Sequence, residues 1–320
     1  MVFEGSEKII ELGVQPGSPS LRRLSYAFWQ TLVASAGAEI ISTVRNESCD
    51  AYLLSESSLF VWDGRIRMLT CGATQLSNAL VLFIEKLGAE TIAYATYQRK
   101  NEYLLQPQIR SFAQDLAYIT QTISGKGYRI GHLDSHHHYL FTANNEGHSG
   151  KALATTKPVV TIKPLATTEL LMYHLRGPLA EYFRSPCQTA EGICDALELS
   201  SLFSGFEFDY HLFSPLGYSL NGIKGDKYFT VHITPQEQSS YCSFETNLTD
   251  KDLPAELIEH FLLKLQPERW DLICVDRPLL VTKRRDNTSI NTCSITTDAG
   301  YDVHFKHVHQ QGELQFTQII

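Results

Sequence analysis

A carboxylate and three hydroxyls stand together in Leu54-Ser55-Glu56-Ser57-Ser58-Leu59-Phe60. They lie inside an apolar run, Ala51 to Trp62, that otherwise reads as a buried strand. Polar groups in such a run are costly to bury unless each finds a hydrogen-bond partner. Thr70-Cys71-Gly72 follows, placing a small thiol at the end of a second strand. A hydroxyl can serve as a nucleophile, and a thiol as a nucleophile or an acid. A serine-rich strand centre beside a cysteine at the mouth of the next strand therefore suggests chemistry more than packing. A strand with one polar face toward solvent would give the same letters.

Other reactive residues read more plainly. His136-His137-His138 lies in an apparent strand, where neighbouring imidazoles point to opposite faces. Only Asp134 stands near it at ligand spacing, so no metal site is expected. His304, His307 and His309 group near the C-terminus and read as solvent-facing strand positions. The seven cysteines are odd in number, scattered and free of any Cys-x-x-Cys pair. That argues against a disulfide framework and for a reducing, cytoplasmic setting. Cys242 and Cys274 fall in apolar strands and read as core.

The 320 residues, 43% of them apolar, suffice for a full core. The net charge of −8 and the absence of any basic run longer than Lys283-Arg284-Arg285 argue against a nucleic-acid partner. No window of about 18 apolar residues suggests a membrane span, and the first residues carry no signal-peptide pattern.

The elements that must position these residues come in two similar passes. Ala51–Trp62 and Ile66–Cys71 read as strands paired around Asp63-Gly64. A helix is expected over 73–87, with Leu76, Leu80, Phe83 and Leu87 on one face. Strand 91–96 and a helix over about 108–124 follow, with Pro107 at its start. The second pass offers strands 206–213, 218–223, 228–233 and 241–247, a helix over 254–265 and strand 270–275. Hairpins joined to helices predict an α+β protein. Its expected form is a four-layer sandwich of two antiparallel sheets with helices outside. The polar stretch 146–157 reads as a linker between the halves.

Several motifs occur in order: Phe3-Glu4-Gly5-Ser6-Glu7-Lys8, Leu54-Ser55-Glu56-Ser57-Ser58, Thr70-Cys71-Gly72-Ala73-Thr74, Arg99-Lys100-Asn101, Gly217-Tyr218-Ser219-Leu220-Asn221-Gly222, His232-Ile233-Thr234-Pro235 and Ser243-Phe244-Glu245-Thr246-Asn247. Together they resemble the eukaryotic-type S-adenosylmethionine decarboxylase family over residues 3–276. The resemblance implies one domain over 1–320 that cuts itself between Glu56 and Ser57. The products would be a β chain, 1–56, and an α chain, 57–320, whose Ser57 becomes a pyruvoyl cofactor. It implies His232 as the base in that step, Ser219 as its helper and Glu7 as a processing residue. It further implies that the pyruvoyl carbonyl forms a Schiff base with the amine of S-adenosylmethionine. Cys71 would then reprotonate the product carbon, its pKa moved toward neutrality by neighbours. Glu4 and Glu56 would line the site, and Phe3 and Phe213 would stack on the adenine. Family members occur as monomers and as homodimers of processed αβ units.

Two departures stand out. Where the family has a ribose-binding glutamate, this chain has Gln236, which loses charge-assisted strength. Glu237 is adjacent but would point away if the strand continued. Glu11, Thr167, Glu169 and Glu245 match the acidic cluster of putrescine-responsive members. However, Leu165 replaces its aspartate and Cys274 an aromatic partner. Arg99 is expected to supply positive charge there, giving weak or no putrescine stimulation. Other readings compatible with these departures are a pyruvoyl decarboxylase of a free amino acid and a non-catalytic regulatory paralogue.

Overall fold

The computed structural model describes residues 7–102, 110–145, 163–237, 239–249, 251–253, 256–279 and 288–310. Phe3, Glu4, Pro107 and the expected linker lie outside the described residues. In the first pass β1 (Lys8–Val14) precedes α1 (Tyr26–Ser35), β2 (Ile40–Arg45), β3 (Asp50–Leu54), β4 (Ser57–Val61) and β5 (Arg65–Thr70). Then come α2 (Leu76–Leu87), β6 (Ile92–Lys100), α3 (Phe112–Ile119), β7 (Lys126–Gly131) and β8 (His137–Asn144). The second pass opens with β9 (Thr167–Tyr173), α4 (Gly177–Tyr182), α5 (Ala190–Ala196) and α6 (Leu199–Leu202). It continues with β10 (Glu207–Leu212), β11 (Tyr218–Lys224), β12 (Lys227–Thr234), β13 (Tyr241–Thr246) and α7 (Leu257–Leu265). It ends with β14 (Arg269–Val275), β15 (Thr288–Thr296) and β16 (Asp302–Gln310).

The strands form two sheets, ordered β2-β3-β4-β5-β1-β6-β8-β7 and β10-β11-β12-β13-β9-β14-β16-β15. Counting each pass from its own first strand, the two orders are the same. The expected antiparallel sandwich is therefore present, and the likeness of the halves extends to every strand position. Helices form where apolar residues recur on one stripe. In α2, Leu76, Leu80, Phe83 and Ile84 are buried in the core outside the first sheet. The helix expected over 108–124 is shorter. Ser111 caps α3 by accepting from the Gln114 backbone N–H, and the Gln114 side chain accepts from the Ser111 N–H.

The run 51–62 is not one strand. It folds back at Ser55-Glu56, so that β3 pairs with β4 and Leu54 opposes Ser57. The Ser55 N–H donates to the Glu39 carbonyl at 2.8 Å, and the Ser55 hydroxyl accepts from the Glu39 N–H at 3.0 Å. The polar pair thus escapes burial in mid-strand by forming the turn.

Alternation sorts each strand into an outer face toward the helices and an inner face toward the other sheet. The inner faces meet in two apolar clusters. Ile9, Phe60, Leu69, Ile223 and Tyr228 belong to one, and Leu140, Leu171, Ile273, Val303 and Phe305 to the other. Polar groups share this interior. Arg67 reaches Glu11 of its own sheet at 2.7 Å and grips Glu245 of the other at 2.8 and 2.5 Å. Tyr94 donates to Glu11 at 2.7 Å and Tyr228 to Glu245 at 2.5 Å. Burial works against the Arg67 charge, but Glu245 foremost, with Tyr228 and Glu11, holds its pKa well above the ordinary value.

Arg99 does not supply this charge. It opposes Lys8 across β1, whereas Arg67 opposes Glu11, so the two arginines lie on opposite faces. On the outer face Arg99 donates to Asp115 of α3 at 2.8 Å and to Glu102 at 2.5 Å. Cys274 likewise packs in the outer core with Leu272 and Trp270, not between the sheets. Thr167 and Glu169 do face inward, in register with Leu171 and Tyr173 of the inter-sheet cluster. His307, expected at the surface, is buried on the inner face of β16.

Removing one partner of a buried ion pair leaves stranded charge. Arg67→Met strands two carboxylates and is expected to lower unfolding stability by about 3–5 kcal/mol. Replacing Arg67, Glu11 and Glu245 together with apolar residues should recover most of that loss. Urea denaturation of the two variants checks both.

Candidate active site

The turn at Ser55-Glu56 places Ser57 at the head of β4, next to the second sheet. Strand alternation would send Ser57 outward with Leu59 and Val61, and only Ser58 inward with Phe60. Yet both hydroxyls reach the same imidazole nitrogen. The Ser57 Oγ lies 2.9 Å from His232 Nε2, and the Ser58 Oγ lies 3.2 Å from it. Ser57 has φ of 147°, a region that residues other than glycine seldom occupy. This backbone twist, costing on the order of 1–3 kcal/mol, turns consecutive side chains toward one point.

Alternation in the second sheet builds the receiving wall. Ser219 and Asn221 share the inner face of β11, as do Thr230 and His232 on β12. Cross-strand register sets Ser219 opposite His232 and Asn221 opposite Thr230. The Ser219 Oγ meets His232 Nδ1 at 2.8 Å, and the Thr230 Oγ1 meets Nε2 at 2.7 Å. Asn221 Oδ1 accepts from Ser58 at 2.5 Å and from Thr230 at 3.0 Å. Burial pushes His232 down to about 3. The imidazole is therefore neutral, and its Nε2 faces three hydroxyls.

The carbonyl between Glu56 and Ser57 has its own contacts. The Cys71 N–H donates to the Glu56 oxygen at 3.1 Å, and the Cys71 thiol lies 3.5 Å from it. A backbone donor aimed at a carbonyl oxygen stabilises charge that develops there. Burial, then Glu56 and Glu7, push the thiol up to about 12, overriding the opposing charge of Lys8. The expected shift toward neutrality is therefore reversed, because the sulfur is enclosed beside carboxylates. At neutral pH the proton stays on sulfur. Lys8 donates to the Gly72 carbonyl at 2.7 Å, and its own pKa is lowered by burial to about 8.

Glu7 accepts from the Tyr241 hydroxyl at 2.5 Å. Burial raises it to about 7, against the lowering effect of that hydrogen bond. Phe213, half-buried, follows β10 and meets the His211 ring edge-on at 4.7 Å. Glu56 is also half-buried, its pKa raised by burial against the lowering effect of Lys8. Gln236 is exposed and accepts from the Ser239 hydroxyl at 3.0 Å. β12 ends at Thr234, so strand alternation does not decide which way Glu237 points.

The structure thus gathers Ser57, Cys71, Ser219, His232 and Glu56 around one peptide bond. It adds Ser58, Asn221 and Thr230, which the sequence reading did not single out as site residues. The signal for Asn221 and Thr230 was available as polar residues two positions from Ser219 and His232, and Ser58 stands beside Ser57. Glu11, Glu169 and Glu245 occupy the interior deeper between the sheets.

A family model described as Adenosylmethionine decarboxylase matches residues 1–318. A Xenopus laevis S-adenosylmethionine decarboxylase proenzyme is 33% identical over 279 residues, covering 81% of this chain and 80% of that protein. The Drosophila melanogaster S-adenosylmethionine decarboxylase proenzyme is 32% identical over 260 residues, covering 77% and 75%. Among solved structures, the Trypanosoma brucei AdoMetDC-delta26 monomer matches with a TM-score of 0.58 and 21% identity. That match covers 79% of this chain and 99% of the other.

The burial of His232 gives a direct expectation. Histidine-labelled NMR of a Ser57→Ala chain should show an imidazole that stays neutral from pH 8 to about 5, with no titration near the ordinary value of about 6.5. Its assignment follows from its disappearance in a further His232→Asn change.

Proposed function

The chain belongs to the adenosylmethionine decarboxylase family, and from that premise we propose that it cuts its own bond between Glu56 and Ser57. Its activity is that of the family, decarboxylation of S-adenosylmethionine in polyamine synthesis. The observation that carries the self-cutting proposal is the paired engagement of one peptide. His232 stands on the Ser57 hydroxyl and Cys71 N–H on the Glu56 carbonyl.

The steps follow from these contacts. The Ser57 Oγ passes its proton to His232 and attacks the Glu56 carbonyl carbon. Negative charge gathers on the oxygen that Cys71 N–H already holds. Collapse breaks the C–N bond, the freed nitrogen takes up a proton, and an ester joins Glu56 to Ser57. The twisted φ at Ser57 is relieved as that bond opens, which lowers the barrier. His232, neutral again, removes the Ser57 Cα proton, and the Glu56 carboxylate leaves. The remaining enamine tautomerises, and water replaces its nitrogen, releasing ammonia. Ser219 fixes the imidazole from its far side. Asn221 holds Ser58 and Thr230, so that the ring is crowded but not blocked. The products are a β chain of residues 1–56 and an α chain from 57.

The pyruvoyl carbonyl left at position 57 supplies an electron sink for the pair released from the substrate's Cα–carboxylate bond. The residues present fit that group, since His232 Nε2 stands 2.9 Å from the Ser57 hydroxyl and the Cys71 N–H and thiol border the adjoining carbonyl. Cys71, still protonated, delivers a proton to the product carbon. Phe213 offers a face for the adenine, Glu56 borders the site, and Gln236 can accept from ribose. Phe3 and Glu4 complete the proposed substrate contacts from the N-terminal segment. Arg67 occupies the acidic interior between Glu11 and Glu245. It stands where an added diamine would otherwise supply positive charge.

Denaturing mass measurement of the purified protein is expected to give two fragments divided after Glu56, with the larger resistant to Edman sequencing. A single chain that stays whole on incubation would sink the self-cutting proposal. His232→Ala should slow cutting by about 10²–10⁴-fold, the usual contribution of a positioned base. The cut protein should release carbon dioxide from S-adenosylmethionine and not from ornithine or arginine. Putrescine should change neither rate appreciably; clear stimulation of both would remove Arg67 from the role given it.

A further inference from the structure

The three consecutive histidines separate in space. His137 turns its Nδ1 to the Ser135 carbonyl at 2.9 Å, and His138 meets Gln98 at 3.1 Å. His136 precedes β8 and points between the sheets. There it meets two residues of the second sheet that oppose each other in register, Asp271 on β14 and His307 on β16. His136 Nδ1 lies 2.9 Å from Asp271 Oδ2, and His307 Nδ1 lies 2.5 Å from Oδ1. The two rings are 4.4 Å apart.

We propose that His136, Asp271 and His307 form a binding site for a divalent transition-metal ion of the zinc class, joining the two sheets. One potential ligand atom from each lies within 4.8 Å of the others, and all three residues are buried. Metal–ligand bonds of about 2.0–2.2 Å place neighbouring donors of a tetrahedral ion roughly 3.3 Å apart. The two carboxylate–imidazole spacings, 2.9 and 2.5 Å, need to open by less than about 1 Å to admit it. Two imidazoles and a carboxylate are a ligand set that borderline ions favour. Binding requires each Nδ1 to present its lone pair, so the ring proton moves to Nε2 or is released.

Tyr173 offers a further oxygen. Its ring meets His136 edge-on at 5.0 Å, and its charge coupling is to Asp271. The site is separate from the Ser57 machinery and independent of the self-cutting proposal.

The test uses tag-free full-length protein, stripped with chelator and titrated with zinc against a chromophoric competitor, then with cobalt for its visible spectrum. One tightly held ion per chain is expected, with the intensified cobalt spectrum of nitrogen and oxygen ligation. Asp271→Asn and His307→Asn should each weaken affinity by more than the roughly 10–100-fold that loss of an outer-shell partner costs. His137→Asn should leave it unchanged. Failure of the parent to retain an ion, or equal binding by the parent and His307→Asn, overturns the assignment. Should both ligand variants fail to fold, the parent's cobalt spectrum decides. A thiolate charge-transfer band would place the ion at a cysteine and refute the site.

Discussion

The grip of Arg67 on one carboxylate from each sheet is the constraint around which this molecule is arranged. Two sheets facing each other would ordinarily seal a dry interior. Here a polar band runs through it, and charged side chains from both sheets pair within it. Arg67 spans the gap between Glu11 and Glu245, with Tyr94 and Tyr228 taking up further carboxylate oxygens. The sheets are thereby set at one separation and one lateral offset. That offset lets residues of β4 touch residues of β11 and β12. Ser57 and His232 come from positions 175 apart in sequence, and their 2.9 Å contact depends on it.

A second tension is local. Two adjacent residues on a strand cannot ordinarily present side chains to the same atom. Ser57 and Ser58 do so because Ser57 accepts a backbone conformation that its neighbours avoid. The conformation is sustained from both sides, by the hairpin pairing of Leu54 with Ser57 and by the Cys71 contact on the preceding carbonyl. Rigid surroundings hold a single unfavourable torsion at the one peptide where chemistry is proposed.

Much of this was legible in the residues. The Ser-Glu-Ser-Ser stretch announced itself by polarity in an apolar run. The strands that carry Ser219 and His232 were read as strands. Hairpin and helix signals were enough for the layered architecture. What escaped was parity between strands distant in sequence. Arg67 and Arg99 are both strand arginines, and only the pairing of β1 with β5 and β6 shows that one faces in and the other out. The turn at Ser55-Glu56 was hidden because apolar flanks on both sides read as continuous. The meeting of His136 with Asp271 and His307 needs strands from both sheets, and no spacing along the chain encodes it. The thiol of Cys71 was misjudged for a related reason, since its enclosure is a property of the assembled layers.

The place of β1 in the first sheet has a further consequence. It lies between β5 and β6, hydrogen-bonded to both, while β3 lies between β2 and β4. A division after Glu56 would therefore leave the shorter piece woven through the longer one, with an inner strand of the sheet belonging to a separate polypeptide. Such pieces cannot drift apart without tearing the sheet across its middle. Once denatured, they would have to find each other from solution and reinsert that strand between two others. Maturation of this kind is a one-way passage: the intact chain carries the information to assemble, and the divided one only the ability to stay assembled.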